Sequence, residues 1–312
     1  LGGPALVALL FPGQGAQFVG MGRDVAERYP AARDVWREAE DVLGIALSRI
    51  AWEGPEEELT ATHNAQPAIL VHSIAVYRVV AEALGDVQIA AGHSLGEFSA
   101  HVAAGTLDFA SAVKTVRRRG ELMHRSGEAR PGTMAAVLGL ADEDVERVCR
   151  EASVPGEECV PANYNAPGQV VISGDVAAVE RAIGIARSAG ARRALRLNVS
   201  GAFHSPLMAP AERELAAHLE SIEFRDPRFP VVSNVTAEPV SEGAVARRLL
   251  IHQLTAPVRW VASMRTILSA GIDRFIELGP GSVLSGLLKR IDGNARAQTV
   301  GTATEIEAFI GA

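Results

Sequence analysis

Short apolar runs of strand length alternate with longer helical patterns along most of this chain. The first run, Ala5 to Phe11, ends in Pro12-Gly13-Gln14-Gly15-Ala16-Gln17. A buried strand that runs into a glycine-rich loop places that loop at the C-terminal edge of a parallel sheet, where ligands bind. No Gly-Lys-Ser/Thr follows, so it is not a phosphate loop. Helical patterns fill Val25 to Leu43, and Glu53 to Leu59 reads as an acidic turn region. Gln66-Pro67 then precedes an apolar helix, Ala68 to Leu84, whose few charges lie near its end; it is predicted to be buried against the sheet. A second short run, Val87 to Ala91, is followed by a helix-like run from Leu95 to Ala104. A further helix spans Asp108 to about Arg125, with Asp108 as N-cap.

At Gly127 to Gly132 the pattern changes. Up to Val199 it reads strand (Met134–Leu140), helix (Asp142–Ala152), strand (Cys159–Asn163), strand (Gln169–Ser173), helix (Ala177–Ala189), strand (Arg192–Val199). That is the ferredoxin-like order β-α-β-β-α-β. Ala194 to Val199 alternates apolar and polar, as expected of a sheet with one wet face. The expectation is a small subdomain, residues 129–198, inserted into a larger one made of 1–128 and 199–312. The larger unit resumes with a loop, Ser200-Gly201-Ala202-Phe203-His204-Ser205-Pro206, and a helix from Ala209 to Leu219. Pro230 to Val235 is strand-like, a helix from Glu242 carries Gln253 near its end, and another spans Trp260 to Ala270. Phe275 to Leu278 is a strand, and a last helix runs from Ser282 to Arg290.

Composition narrows the classes. At 312 residues the chain buries a large core, as one big domain or a large and a small one. Its 48% hydrophobic and 21% charged content is ordinary for a soluble globular protein. A net charge of −7 argues against general nucleic-acid or anionic-membrane binding. Scarce aromatics, 5%, argue against base-stacking platforms. No apolar run approaches the ~18 residues that span a membrane, and no basic region precedes an apolar core at the N-terminus, so no secretory signal is read. Leu1-Gly2-Gly3 reads as an expression remnant. Cys149 and Cys159 fit no metal or redox spacing and read as free thiols in a reducing cytosol.

The chemistry centres on Gly92-His93-Ser94-Leu95-Gly96-Glu97, between an apolar strand and a helix. Strand, sharp turn, helix is the context of a nucleophile elbow; the plain alternative is a Gly/Ser turn with no chemistry. The Leu95 amide lies at a helix N-terminus, which favours a developing oxyanion. Of eight histidines, His93 adjoins Ser94 and its side chain diverges from it, whereas His204 lies in a loop bracketed by glycine and proline. His204 is the best candidate base; otherwise it is a loop histidine near a hinge. No acid is obvious between serine and histidine: Asp142, Asp144 and Asp175 fall in the inserted segment and Asp108 caps a helix. The expectation is a Ser–His dyad oriented by a backbone or amide carbonyl, better suited to a thiol leaving group than to amide hydrolysis. Arg117, Arg118 and Arg119 point ~100° apart around a helix, so the three cannot all face the same way and one is expected to point inward. A buried Arg119 near the serine implies a substrate carboxylate, held bidentately. Gln14, Gln66 and Gln253 either line a pocket or are surface glutamines.

Together these residues resemble malonyl-CoA:acyl carrier protein transacylases and the acyltransferase domains of polyketide synthases. The resemblance covers nearly the whole chain. It rests on Phe11-Pro12-Gly13-Gln14-Gly15, Gln66-Pro67, the Gly92 to Glu97 elbow, Arg119-Gly120, Asn163 to Gln169, Gly201-Ala202-Phe203-His204-Ser205 and Gln253. It implies an α/β-hydrolase-like large subdomain with a parallel sheet and a ferredoxin-like small one, in agreement with the pattern. It implies that Ser94 is acylated, that His204 is its base, and that Arg119 pairs with the malonyl carboxylate. The amides of Gln14 and Leu95 are implied as the oxyanion hole, the main-chain carbonyl of Gln253 as the group orienting His204, and Gln66 and His93 as supporting pocket residues. Phe203 matches the malonyl-type pattern of the polyketide domains, and its ring would crowd an α-methyl branch, a discrimination of ~1–3 kcal/mol. Phe98 and Tyr164 depart from the family by exchange of one aromatic ring for another.

The implied partners are malonyl-CoA, coenzyme A and an acyl carrier protein, with neither nucleic acid nor membrane, no cofactor and no metal. The protein is expected to be a cytoplasmic monomer of fatty acid biosynthesis. The alternatives are an acyltransferase loading a polyketide synthase carrier, a thioesterase-type hydrolase, and a non-catalytic docking module. The chain starts ten residues before its first motif and ends shortly after its last helix, which reads as a stand-alone protein. Arg192, Arg193, Lys289 and Arg290 are candidates for docking an acidic carrier, or are ordinary solvated charges.

Overall fold

The strands, in chain order, are β1 (Val7–Phe11), β2 (Val87–Gly92), β3 (Gly132–Leu138), β4 (Cys159–Ala166), β5 (Gln169–Asp175), β6 (Arg193–Arg196), β7 (Val231–Val232), β8 (Pro239–Val240), β9 (Arg274–Leu278) and β10 (Ala297–Val300). They come from a computed structural model, which describes residues 6–311. Leu1-Gly2-Gly3 and Ala5, the expected start of the first strand, lie outside the described residues.

All five β1 side chains are apolar and buried, so the strand needs cover on both faces. It lies inside a six-stranded sheet of order β10-β9-β1-β2-β7-β8, parallel except for the edge pair β7–β8. Val7, Leu9 and Phe11 join one core with Trp36, Ile69 and Leu70; Ala8 and Leu10 join another with Trp260, Met264 and Leu288. The period of two along one strand thus feeds two helical layers.

β3 to β6 form a separate antiparallel sheet of order β4-β5-β3-β6, the ferredoxin-like arrangement expected from the pattern. Ala135, Val137, Val170 and Ile172 face the helices Asp142–Ala152 and Val176–Ser188. The other face is not simply wet, as the alternation suggested. Met134, Ala162 and Val171 on it pack with Met123 and Phe203, which belong to other elements. The chain's departure towards β3 and its return after β6 lie side by side, with Gly127 directly against the Ser200 backbone. Cys149 and Cys159 are free and buried, with sulfurs 3.8 Å apart.

Four expectations need correction. The helix expected from Ala68 runs Thr62–Val80, with Pro67 inside it. Proline removes the N–H that would bond the carbonyl four residues back. That carbonyl, of His63, is taken by Arg117 Nη1 at 3.2 Å, so the helix passes through the proline. The acidic turn region is instead two helices, Leu47–Glu53 and Glu56–Thr60. Glu56, Glu57 and Glu58 occupy the first turn of the second, where the helix dipole favours negative charge. The strand-like Pro230–Val235 pairs as a strand only over Val231–Val232. Finally, Ser282–Arg290 is not the last helix. Val283–Ile291 is followed by β10 and by Ala303–Ile310, which opens on a capping box of Thr302 and Glu305.

Candidate active site

β2 ends at Gly92 and a helix begins at Leu95, leaving Ser94 between them at φ 51°, ψ −108°. A non-glycine residue there is strained and persists only where its surroundings fix it. The flanking glycines have a steric reason. A Cβ on Gly92 would overlap the Gly96 carbonyl, and one on Gly96 would overlap the Phe11 carbonyl of β1. Gly96→Ala is therefore expected to destabilise the fold by ~1–3 kcal/mol or more, read as a lowered denaturation midpoint; an unchanged midpoint would show that the elbow has slack.

His204 is the second strained residue, at φ 56°. Its Nε2 lies 2.7 Å from Ser94 Oγ and its Nδ1 lies 2.9 Å from the Gln253 carbonyl. A carbonyl only accepts, so Nδ1 carries the proton and Nε2 is left to accept from the serine. The carbonyl is available because Gln253 is the C-cap of the helix Gly243–His252, where carbonyls lack helical partners. Burial, and then the charge of Arg119, push the imidazole down to about 3, against the pull of the Gln253 carbonyl. His204 is neutral at physiological pH.

Of the three consecutive arginines, Arg117 and Arg118 pair with Glu121 and Glu214 at the surface, while Arg119 is 1% exposed. Its Nη1 donates to Gln66 Oε1 at 2.6 Å; its Nη2 donates to Gln253 Oε1 at 2.9 Å and to Ser94 Oγ at 3.1 Å. The guanidinium sits 5.5 Å from the Phe98 ring centre, and its Nε has no partner. Burial lowers its pKa to about 10, opposed by Glu97, so it stays charged. Among the described residues no carboxylate forms a salt bridge with it; its direct acceptors are neutral. A buried cation in that state has unspent affinity for an anion.

The remaining candidates surround these. Ser94, His204, Gln14, His93 and Phe203 line one cleft of about 370 Å³ with Met123, Met134, Asn163 and Val171. Gln14 Oε1 accepts from Thr62 Oγ1 at 2.8 Å, and Gln66 Nε2 donates to the same hydroxyl at 3.1 Å. Leu95 is fully buried as the first helical residue, where an amide has no helical acceptor. His93 Nε2 lies 2.7 Å from Asn165 Oδ1 on β4, tying the elbow to the antiparallel sheet. The four docking candidates are exposed and do not line this cleft. Arg290 reaches Gln169 Oε1 at 2.6 Å. Among the described residues no cluster of metal-binding side chains occurs, and no helix is long and apolar enough to cross a membrane.

Two buried residues at this site were assigned no role from sequence. Glu97, 1% exposed, accepts from Gln253 Nε2 at 2.7 Å and from the Asn234 amide at 3.1 Å. Burial pushes its carboxyl up to about 7, against those hydrogen bonds and Arg119. The available signal is a single acid inside the mostly apolar run Leu95 to Ala104. Asn234, after β7, bonds the Gly92 carbonyl and the Ser94 amide and has no comparable signal in the sequence.

An α/β sheet with a serine elbow, a neutral histidine at its hydroxyl and a buried arginine beside it to which no carboxylate among the described residues is bonded is the arrangement of a serine-centred acyl-handling enzyme. Residues 8–305 match the family model described as "Acyl transferase domain". The chain belongs to that family, in the branch of the malonyl CoA-acyl carrier protein transacylases. It is 47% identical to the Bacillus subtilis protein of that name, over 94% of this chain and 92% of the relative. Its fold is similar to the crystal structure of an acyl carrier protein S-malonyltransferase from Vibrio cholerae, with TM-score 0.94 and 43% identity over 97% and 99% of the two chains. It is equally similar to a malonyl-transacylase in complex with a type II polyketide synthase acyl-carrier protein, with TM-score 0.94 and 43% identity over 98% and 99%.

Proposed function

We propose that this protein transfers malonyl groups from coenzyme A to the phosphopantetheine thiol of an acyl carrier protein in fatty acid biosynthesis, as a cytoplasmic monomer without a resident cofactor. The observation that carries this reading is Arg119, buried and charged, 3.1 Å from the Ser94 hydroxyl. A thioester bound with its carbonyl at Ser94 then has its free carboxylate within reach of the guanidinium.

Ser94 Oγ attacks the thioester carbonyl while His204 Nε2 takes its proton. The tetrahedral oxyanion forms at the amides of Leu95 and Gln14. Collapse breaks the C–S bond, and the coenzyme A sulfur leaves with the proton from His204. In the second half, the carrier thiol gives its proton to His204 and attacks the malonyl-serine ester. Collapse expels the serine oxygen, which recovers the proton. A thiol leaves more readily than an amine and asks less of the imidazolium, so the Gln253 carbonyl serves where a buried carboxylate serves in hydrolytic triads. Residues 129–198, read as the small subdomain, supply Met134, Asn163 and Val171 as the wall facing Ser94.

The test is intact-mass analysis after incubation with a mixture of malonyl-, methylmalonyl- and acetyl-CoA. A malonyl adduct on Ser94 is expected to dominate; its absence, or dominance of acetyl, overturns the reading. A pH series adds a second check. Because folding lowers the His204 pKa to about 3, the base stays neutral throughout the working range. With His204 as base the acylation rate is expected to lack the roughly tenfold loss between about pH 7.5 and 5.5 that an ordinary histidine base would show; a smaller step near pH 7 would report Glu97, which reaches the site through Gln253 and Asn234. The same depression destabilises the fold in acid. The unfolded chain takes up a proton below about pH 6.5 that the buried imidazole refuses, so stability falls as pH drops from there towards 3. Acylation is therefore measured with folding monitored.

A further inference from the structure

Ser94 is held in its strained conformation by a residue 140 positions away. β7 runs parallel to β2 in the register Ala90↔Val231 and Ala91↔Val232, which carries Asn234 level with the elbow. Asn234 is fully buried. Its Oδ1 accepts from the Ser94 amide at 2.7 Å and its Nδ2 donates to the Gly92 carbonyl at 2.7 Å. One side-chain amide thus bonds the backbone on both sides of His93, where the strand enters the turn, as a peptide group of a neighbouring strand would. Its own backbone is fixed at both ends: the amide donates to Glu97 Oε2 at 3.1 Å and the carbonyl accepts from the Arg259 amide at 3.0 Å. Gln253 Nε2, 3.3 Å from Oδ1, closes the ring of contacts. Asparagine offers a donor and an acceptor side by side on one planar amide, in the geometry of a peptide group, and an ionised aspartate would set an acceptor against the Gly92 carbonyl.

We propose that Asn234 is a positioning residue that clamps the nucleophile elbow. It fixes the Ser94 backbone, and with it the aim of Oγ at His204 and the direction of the Leu95 amide. The inference rests on the reading of Ser94 as the nucleophile. It does not depend on which acyl group Ser94 takes. Asn234 does not itself line the cleft, reaches it only through the Ser94 backbone, and makes no hydrogen bond to Arg119, so it bears on the rate of acylation and not on the choice of acyl group.

Two measurements on Asn234→Ala and Asn234→Asp test this against wild type, below their denaturation midpoints. The first is labelling of Ser94 by a small sulfonyl fluoride, which forms an O–S bond, releases fluoride and passes the serine proton to His204; it needs no malonyl group. The second is single-turnover acylation by malonyl-CoA and by acetyl-CoA. Labelling and both acylations are expected to slow together, by roughly ten- to a hundredfold, with KM and the malonyl-to-acetyl ratio unchanged. A residue that only stabilises the fold would lower the midpoint and leave the folded enzyme's labelling rate at wild type, and that result overturns the proposal. So does a selective loss with malonyl-CoA. Should Asn234→Ala not fold, Asn234→Asp, which keeps the size and the Ser94 acceptor, decides alone. If wild type labels at Ser94 but takes no malonyl group, the malonyl reading fails, and the labelling comparison still judges Asn234.

Discussion

Ser94→Ala protein is expected to form no adduct with malonyl-CoA by intact mass, and its transfer to carrier protein to fall by about 10⁴-fold or more. Among the described residues the serine is the one hydroxyl with the His204 Nε2 at 2.7 Å and an arginine donor at 3.1 Å. The loss should be nearly the same in His204→Ala, and the double variant hardly worse than either, because the pair acts as one unit. Direct attack of the carrier thiol on malonyl-CoA would leave transfer in Ser94→Ala close to wild type. That outcome removes the seryl-ester mechanism, and with it both the transferase and hydrolase readings of the elbow.

Arg119→Ala should lower kcat/KM for malonyl-CoA by about 10²–10³-fold, the range for truncating one partner of a buried charge pair. Acetyl-CoA has no carboxylate to lose, so the malonyl-to-acetyl ratio should collapse by a similar factor. Arg119→Lys keeps the charge without the planar fork and should fall between the two. Part of any loss is local, since Gln66 and Gln253 each lose their guanidinium donor. That part strikes both acyl donors alike, which is why the ratio is the decisive readout. A ratio equal to wild type takes Arg119 out of the acyl site, and leaves its buried charge without a function.

The sequence is most readable where one local rule dominates. β1 is an apolar run closed by Pro12-Gly13, β2 is a mostly apolar run closed by Gly92, and the helix after the elbow spans Leu95–Ala104 as its pattern predicts. The order of β3 to β6 follows from alternation and turn residues. What is not readable depends on a distant partner. The helix passes through Pro67 only because Arg117 takes the His63 carbonyl. The inward turn of one arginine in a run of three is a matter of helix geometry, but its acceptors Gln66 and Gln253 come from two other helix regions. Glu97 and Asn234 meet across 137 positions, and no local pattern records such a contact. The last strand and helix are short, and their best sign, Thr302 three residues before Glu305, is easily passed over.

The neck at Gly127 and Ser200 has a consequence for engineering. The stretch between them enters and leaves through adjacent backbone, so in topological terms it is a cartridge with both ends at one socket. It carries Met134, Asn163 and Val171 to the cleft, while the serine, histidine and arginine all stay with the six-stranded sheet. Exchanging that cartridge between relatives would redraw the wall that meets the acyl chain and leave the reacting groups on their own scaffold.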